Sequence, residues 1–174
     1  MKGEAMNKKI IVSKAEMDDL SEIVEIYEKA IKHMNECNIN QWDEVYPNEN
    51  IFFKDILKKQ LYVGRMDEEI VSVFCVNTEY NESYDTVEWQ YPELKYKVIH
   101  RFCVKPEYQN QGIGYATMQV IDERLKAKGV QAVRMDYFSE NPYAQKLLQK
   151  VGFDVVGEAT WRKGLFYILE KKLV

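Results

Sequence analysis

The sequence predicts a single mixed α/β domain over residues 1–174, with a mostly antiparallel sheet, one parallel strand pair and flanking helices. The length of 174 residues, with 46% hydrophobic and 30% charged residues, is typical of one soluble domain. The segment Tyr96–Tyr137 alternates strand, helix and strand, which predicts two parallel strands joined by a right-handed crossover. Strand-like runs separated by short polar turns elsewhere predict antiparallel hairpins.

The N-terminal third is predicted to hold one strand and two helices. Lys9–Val12 is a short strand-like run. Two acidic residues then begin an amphipathic helix, in which apolar residues recur at helical spacing: Leu20, Ile23, Val24, Tyr27 and Ile31. The segment His33–Asn50 is polar and aromatic, which favours a loop or a broken helix with a surface function. Ile51–Lys59 favours a second helix.

The middle of the chain is predicted to form a hairpin and the first strand of the parallel pair. Leu61–Arg65 and Ile70–Asn77 are strand-like and flank a four-residue turn. Glu79–Lys95 has no clear period, so its structure stays open. Tyr96–Val104 is a further strand, and Lys105–Gln111 is a loop that contains a proline.

The C-terminal third is predicted to contain two helices and three strands. Gly112–Lys128 is a helix that Gly129 ends, and Val130–Tyr137 is a strand of alternating apolar and polar residues. The dipeptide Asn141-Pro142 combines a capping residue with proline at the first helical position, so it begins a helix that runs to Gly152. Two last strands are expected at Phe153–Val156 and Leu165–Leu169.

Charge and cysteine usage exclude several classes of protein. The formal net charge of −4 argues against nucleic acid as the partner, because phosphate contacts need clustered Lys and Arg. The three cysteines, Cys37, Cys75 and Cys103, are odd in number and widely spaced, so neither a disulfide framework nor a metal site is predicted. Met1–Lys9 is polar and no apolar run approaches the roughly 18 residues that span a membrane. A cytoplasmic location without membrane association is the expectation.

The join between the strand that ends at Val104 and the helix that begins near Gly112 predicts an anion site. Gly112 and Gly114 let the backbone approach a ligand closely, and a helix N-terminus adds free N–H groups and a positive dipole end. Together these features favour a bound phosphate or pyrophosphate. A P-loop is excluded, because Tyr115 follows Gly114 where that motif needs Lys.

A dinucleotide-binding turn fits the same join only partly. Gly112 and Gly114 match its first two glycines, and Asp136 lies at the end of the next strand, where a ribose ligand is expected. Thr117, however, replaces the third glycine, and seven residues separate Val104 from Gly112. This alternative therefore stays open as a rival.

The same residues resemble the GNAT superfamily of N-acetyltransferases. Its signature is Gln or Arg, two residues, Gly, one residue, and Gly or Ala, and this chain has Gln109-Asn110-Gln111-Gly112-Ile113-Gly114. The preceding stretch, residues 102–108, is similar to the strand and short loop before that signature. A second block of the family, Asn-x-x-Ala ending in Gly-Phe, is matched by Asn141, Ala144, Gly152 and Phe153.

The resemblance implies the family's fold, a sheet whose central parallel pair splays apart, and a site for acetyl-CoA or coenzyme A as co-substrate. The coenzyme pyrophosphate would lie on the backbone of six residues, with Gln109 and Asn110 at the edge: Gln111, Gly112, Ile113, Gly114, Tyr115 and Ala116. The backbone of Phe102, Cys103 and Val104 would pair with the pantetheine arm and polarise the thioester carbonyl. Asn141 would also bond the pantetheine arm.

The family resemblance leaves the acid and base of the reaction open. Leu148 occupies the position where the family often has a Tyr that protonates the leaving thiolate, and Tyr143 and Tyr137 are weaker candidates for that role. His100, on the splayed strand, and Glu88, just upstream, are the two candidate bases, with a water relay as the alternative. Cys103 is expected to be a packing residue, because a cysteine nucleophile would need a paired base.

The sequence therefore predicts acyl transfer from acetyl-CoA to a primary amine by direct attack in a ternary complex. Trp42, Tyr46 and Trp89 are candidates for the wall of an acceptor pocket. The acceptor is a small molecule or a peptide amine that the sequence does not identify, and a homodimer is possible. The rivals are a coenzyme-binding module without catalytic activity, which Leu148 favours, and a dinucleotide-dependent enzyme, which Asp136 favours.

Overall fold

The computed structural model describes residues 9–174; most of the polar N-terminal segment Met1–Lys9 lies outside the described residues. These residues form seven strands and four α-helices. The strands are β1 (Ile11–Lys14), β2 (Leu61–Met66), β3 (Glu69–Asn77), β4 (Tyr96–Val104), β5 (Ala132–Phe138), β6 (Asp154–Trp161) and β7 (Gly164–Lys172). The helices are α1 (Leu20–Glu36), α2 (Glu49–Leu57), α3 (Ile113–Ala127) and α4 (Pro142–Lys150).

The seven strands form one mixed sheet in the order β1-β2-β3-β4-β5-β7-β6. Among the strands of residues 9–174, only the β4–β5 pair is parallel, and the other pairs are antiparallel. The predicted fold class is thus confirmed, including the parallel pair that α3 connects. Parallel neighbours require a crossover connection of a dozen or more residues, and the segment between β4 and β5 that contains α3 is long enough to provide it.

The central strands part after three paired positions, which opens the middle of the sheet. The last paired residues are Val98 of β4 and Arg134 of β5, although β4 continues to Val104 and β5 to Phe138. Beyond this point β4 stays bonded to β3 as far as Val104, and β5 stays bonded to β7. The split therefore separates two halves of the sheet that are each internally continuous.

Helices cover both faces of the sheet, so the core has two layers. The helices α3 and α4 bury one set of apolar residues against the odd-numbered residues of β5, among them Met118, Ile121, Leu148 and Met135. On the other face α1 and α2 pack Ile23, Tyr27 and Phe52 against β2 and β3. Burial of such side chains contributes about 1.5 to 3 kcal/mol each. The split between β4 and β5 is thus bordered by well-packed elements.

Several element boundaries differ from the sequence predictions. The helix α1 continues to Glu36 and so includes the first four residues of the segment expected to be a loop, and β1 begins two residues later than expected. The final hairpin is wider than predicted, because β6 and β7 pair from Trp161–Gly164 down to Asp154–Glu170 around a two-residue turn. The open segment Glu79–Lys95 holds one short 3-10 helix, Glu82–Thr86, and otherwise irregular chain.

Candidate active site

A cleft of about 1290 Å³ lies at the split between β4 and β5. Its walls come from both layers: the N-termini of α3 and α4 on one face, and the α1–α2 loop with the segment after β3 on the other. Residues of β4 and β5 line the narrow middle of the cleft, between these two walls. A cavity of this size and position is the expected place for a ligand, because it is concave and built from several elements.

The turn into α3 forms one end of the cleft. Asn110 and Gly112 have left-handed backbone angles, φ +60° and φ +79°, and Gly112 is the residue that precedes the helix. The carbonyl of Gly112 accepts the first helical hydrogen bond, from Ala116 N at 3.0 Å. The N–H groups of residues 113–115 come before that bond, so the helix offers them to a ligand.

The two glycines of this turn have different physical roles. A side chain on Gly112 would meet no atom within 4 Å, so the space over its backbone is open. A side chain on Gly114 would lie 3.1 Å from Leu147 Cδ2 and 3.5 Å from Val104 Cγ2. Gly114 therefore lets α3 pack closely on α4 and β4, a packing role in addition to the predicted one of letting a ligand approach the backbone. Gln109 fixes the turn, because its Nε2 donates to Val104 O at 3.1 Å.

Asn141 lies at the start of α4, on the wall of the cleft. Its Oδ1 caps the helix by accepting from Ala144 N at 3.1 Å, as the sequence predicts. Its Nδ2 donates to Gln41 Oε1 at 2.8 Å, which links α4 to the α1–α2 loop. Gln41 lies in the segment His33–Asn50, for which a surface function was predicted, but it was not itself predicted as a site residue.

The backbone of β4 borders the narrow middle of the cleft on one side. A bulge interrupts its pairing with β3 between Val73 and Cys75, and Arg101 at this bulge has φ +52°. The Arg101 carbonyl is held by the Tyr27 hydroxyl, which donates to it at 2.5 Å. Beyond Val98 the edge of β4 that faced β5 has no strand partner, and the predicted pairing of residues 102–104 with a ligand would use this edge. The carbonyls of Arg101 and Val104 already accept hydrogen bonds, from Tyr27 and Gln109.

Cys103 is buried, and burial raises the pKa of its thiol to about 12. A thiol with this pKa is protonated at neutral pH and is a poor nucleophile. Cys103 lies among the apolar side chains beneath α1 and α2. The expectation that it is a packing residue agrees with this position.

His100 lies on the cleft wall, as predicted, but its environment disfavours protonation. Burial, with a further contribution from the Arg101 charge, lowers the pKa of His100 to about 4. Its Nε2 contacts Asn77 Oδ1 at 2.7 Å, and this oxygen also accepts from Glu79 N at 3.0 Å. Since an amide oxygen only accepts, Nε2 carries the proton and the ring is a neutral, weakly basic imidazole.

Of the two carboxylates considered, Glu88 and Asp136, only Asp136 lies in the cleft. Glu88 is exposed and does not line the cleft, so the expectation of a base beside the split is not met for this residue. Asp136 lies two residues beyond the last paired position of β5, and burial raises its pKa to about 6. The Tyr84 hydroxyl donates to Asp136 Oδ2 at 2.6 Å. His100 occupies the equivalent place on β4, on the same face of the sheet.

Leu148, which stands where the family often has an acidic Tyr, and the two candidate acids Tyr143 and Tyr137 lie around the α4 side of the cleft. Leu148 is 3% exposed and packs into the α3–α4 core, although it also lines the cleft. Tyr143 is exposed at the rim, and Tyr137 is buried with its ring centroid 5.5 Å from that of Tyr167. Burial raises the pKa of Tyr137, so it is a weaker acid than a free tyrosine.

The opposite side of the cleft is largely aromatic. Of the three predicted wall residues, Trp42 and Tyr46 line the cleft. Trp89 does not, and it stacks instead on Arg134, whose guanidinium carbon lies 3.9 Å from the ring centroid. The remaining aromatic wall residues on this side come from the segment after β3 and from the β6–β7 hairpin: Tyr80, Tyr84, Trp161 and Phe166.

Ion pairs connect the two loops that border this aromatic side. Arg162, at the β6–β7 turn, donates to both carboxylate oxygens of Asp43 in the α1–α2 loop, at 2.7 and 2.9 Å. Lys163 lies 3.0 Å from the same carboxylate and donates to Asn40 Oδ1 at 2.7 Å. These bonds lower the pKa of Asp43 and hold the loop against the hairpin.

Residues 9–174 contain no cluster of three or more His, Cys, Asp or Glu side chains placed to bind a metal ion. None of the four helices in this part of the chain has both the length and the apolar composition that a bilayer crossing demands.

A comparison with known proteins agrees with this geometry. The model of the acetyltransferase (GNAT) family matches residues 27–153. That span contains the split strands, the glycine turn and the α4 cap. The chain therefore belongs to the GNAT acetyltransferase family, whose acyl donor is acetyl-CoA. No curated protein matches the chain.

Solved structures show the same fold. A GNAT-family acetyltransferase from Streptococcus agalactiae 2603 is 21% identical with a TM-score of 0.84, over 94% of this chain and 95% of that one. A Staphylococcus aureus MU50 protein assigned as an acetyltransferase is 28% identical with a TM-score of 0.74, over 94% and 99%. The Escherichia coli ribosomal-protein-S18-alanine N-acetyltransferase is 15% identical with a TM-score of 0.68, over 95% and 94%.

Proposed function

We propose that this chain is an N-acetyltransferase that moves the acetyl group of acetyl-CoA onto a primary amine by direct attack, with both substrates bound at once. One arrangement carries the proposal. The cleft at the strand split has a glycine turn at a helix N-terminus on one side and a partly buried carboxylate, Asp136, on the other. The acceptor is a small-molecule or peptide amine. A homodimer stays a prediction.

The α3 side of the cleft fits the coenzyme. Open space over Gly112 and the N–H groups of residues 113–115 suit a pyrophosphate, for which a helix N-terminus is a favourable site. At residues 102–104 the edge of β4 that faced β5 has no strand partner, and this edge can pair with an extended amide arm. Coenzyme A supplies the acetyl thioester, and a β4 N–H aimed at its carbonyl oxygen would stabilise the negative charge that develops there.

We assign Asp136 as the base. An aliphatic amine is an ammonium ion at neutral pH and must lose one proton before its lone pair is free. Asp136, ionised above about pH 6, can accept that proton. The C–N bond then forms at the acetyl carbon, the C–S bond breaks, and the sulfur keeps the electron pair as thiolate. The second proton on nitrogen neutralises the thiolate, so no protein acid is required.

His100 is a poorer candidate for the same task. General-base catalysis is most effective when the pKa lies near the working pH, and a pKa of about 4 is far below it. Its Nε2–H is also committed to Asn77. We assign His100 a positioning role, in which it maintains the Asn77 contact beside the β4 bulge.

The cysteines support a location in a reducing compartment, and we propose the cytoplasm. Cys37, Cys75 and Cys103 are all free thiols in the structure. Free thiols persist where glutathione and thioredoxin keep the compartment reduced.

Asp136→Asn tests the proposal, with Glu88→Gln as the comparison at an exposed carboxylate. We expect Asp136→Asn to lower kcat by about a hundredfold or more, and Glu88→Gln to leave it within about twofold, because loss of a general base removes about 10²–10⁴. The wild-type kcat should fall as the pH drops through about 6, and this limb should vanish in Asp136→Asn.

Thiol release from acetyl-CoA with an amine panel gives the rate, and calorimetry gives the acetyl-CoA Kd. A wild-type acid limb that persists unchanged in Asp136→Asn would remove this residue from the mechanism. Absence of turnover with every amine, at normal acetyl-CoA affinity, would instead identify a coenzyme-binding module without catalysis, the alternative that the apolar Leu148 favours.

A further inference from the structure

The acceptor side of the cleft is walled by aromatic rings. Tyr80 and Tyr84 are stacked with ring centroids 5.2 Å apart, and Trp161 and Phe166 lie 4.8 Å apart. Trp42 closes the α1–α2 side and is 8% exposed. Aromatic faces attract apolar groups and cations, because each ring carries negative charge on its face.

The positive side chains on this side already have anionic partners. Arg101 is paired with Asp55, and its Nη1 donates to the Tyr46 hydroxyl at 3.1 Å. Arg162 and Lys163 are held by Asp43 at the β6–β7 turn. A carboxylate on the acceptor would therefore have to compete with these internal pairs to find a cation.

Asp136 differs from the other carboxylates of this region. Its hydrogen-bond donor is the neutral Tyr84 hydroxyl, and none of the ion pairs formed within residues 9–174 includes Asp136. A partly buried carboxylate without a cation beside it is costly, whereas an arriving ammonium ion would supply the missing countercharge. A second carboxylate placed next to it would be repelled strongly in this partly buried setting.

We infer that the acceptor is an amine on an aromatic or apolar scaffold, bound as its ammonium ion against Asp136, with no carboxylate beside the amine: an arylalkylamine rather than an α-amino acid. The inference rests on the proposed function and narrows its substrate class. The aromatic walls would hold the scaffold, and the carboxylate would orient the amine toward the split in the sheet.

Three probes of nearly equal size separate charge from shape: tyramine, L-tyrosine methyl ester and L-tyrosine. Tyramine lacks the carboxyl group, the ester keeps its bulk without the charge, and the amino acid carries the charge. Binding is measured by calorimetry on the protein loaded with coenzyme A, and thiol release from acetyl-CoA is measured separately with each probe. The variants are Asp136→Asn and, as a matched control at an exposed carboxylate outside the cleft, Glu93→Gln.

We expect tyramine and the ester to bind the wild-type protein at least about tenfold more tightly than tyrosine, the range of one hydrogen bond to a charged group. In Asp136→Asn the ratio between tyramine and tyrosine should shrink to about threefold or less, whereas Glu93→Gln should keep the wild-type ratio. A general loss of stability would lower all three affinities together and would leave this ratio unchanged. A change in the ratio therefore measures the repulsion between Asp136 and the carboxylate of the acceptor.

Three results would overturn the inference. Tyrosine that binds as well as tyramine would show that an α-carboxylate is accepted, while the transferase proposal would stand. If neither tyrosine nor its ester binds, the preference for tyramine would be due to the bulk of the carboxyl group and not to its charge. Thiol release with none of the three probes, together with turnover of a non-aromatic amine, would reject the aromatic scaffold; no turnover with any amine would reject the proposed function itself.

Discussion

The substitution Gly112→Ala tests the coenzyme site, and the chain provides its own control at the other end of the same helix. Gly112 precedes α3 with φ +79°, and Gly129 follows it with φ +74°. A Cβ added at either position would meet no atom within 4 Å. The two substitutions therefore impose nearly the same backbone strain without a steric clash, but only Gly112 lines the cleft.

The expected loss of stability is the same for both variants. An L-residue in the left-handed region costs about 1–2 kcal/mol relative to glycine. For a domain of this length, each kcal/mol lowers Tm by about 2–4 °C. Gly112→Ala and Gly129→Ala should thus melt within a few degrees of each other, and both should remain folded.

The expected loss of coenzyme affinity is confined to Gly112→Ala. A methyl group over the turn would occupy the open space that a pyrophosphate requires and would displace one charge-assisted hydrogen bond, worth about 1.5–3 kcal/mol. This corresponds to an increase of about 10- to 100-fold in the acetyl-CoA Kd. Calorimetry on both variants measures it. Equal acetyl-CoA affinity in Gly112→Ala and Gly129→Ala would refute the assignment of the site.

Two further expectations concern His100 and Leu148. Because the folded protein lowers the pKa of His100 to about 4, only the unfolded chain binds this proton between about pH 6.5 and 4, so stability falls as pH drops through that window. In His100→Gln the free energy of unfolding should depend less on pH over this range; an identical slope in urea melts would contradict the cause. Leu148→Tyr should change kcat by less than about tenfold, or 1.4 kcal/mol, because a thiolate leaves without an acid. A much larger gain in thiol-release assays would show that the missing acid limits the native protein.

Local patterns made the coenzyme side predictable from the sequence. The glycine turn needs only Gly112 and the helix that follows it, and the α4 cap needs only Asn141 and Pro142. Each of these features lies within a few residues of chain, where backbone geometry dictates the residue type. The crossover between β4 and β5 followed from element order alone.

On the aromatic side of the cleft the sequence predicted the wall residues Trp42 and Tyr46. The rest of this side was not predictable, because its contacts are distant in sequence. The sequence shows that Arg134 and Asp136 alternate with apolar residues along β5, but it does not show what covers their face. In the structure Arg134 is 3% exposed, because the segment after β3 covers this face. The partner of Asp136 is Tyr84, 52 residues away in a stretch without clear periodicity. The signal available in the sequence was Asp136, a polar residue on a strand that has helices on both faces of its sheet. Its place in the cleft becomes visible only in the packed structure.

The early parting of β4 and β5 also affects how the substrates arrive. The glycine turn and the aromatic walls lie on opposite faces of the sheet, so the sheet acts as a partition with one slot through it. If acetyl-CoA and the amine bind as proposed, the coenzyme would reach the split from the α3–α4 face and the amine from the α1–α2 face. Neither substrate would then have to leave before the other enters. The sheet that stabilises the domain would thus also separate the approach path of the coenzyme from that of the amine.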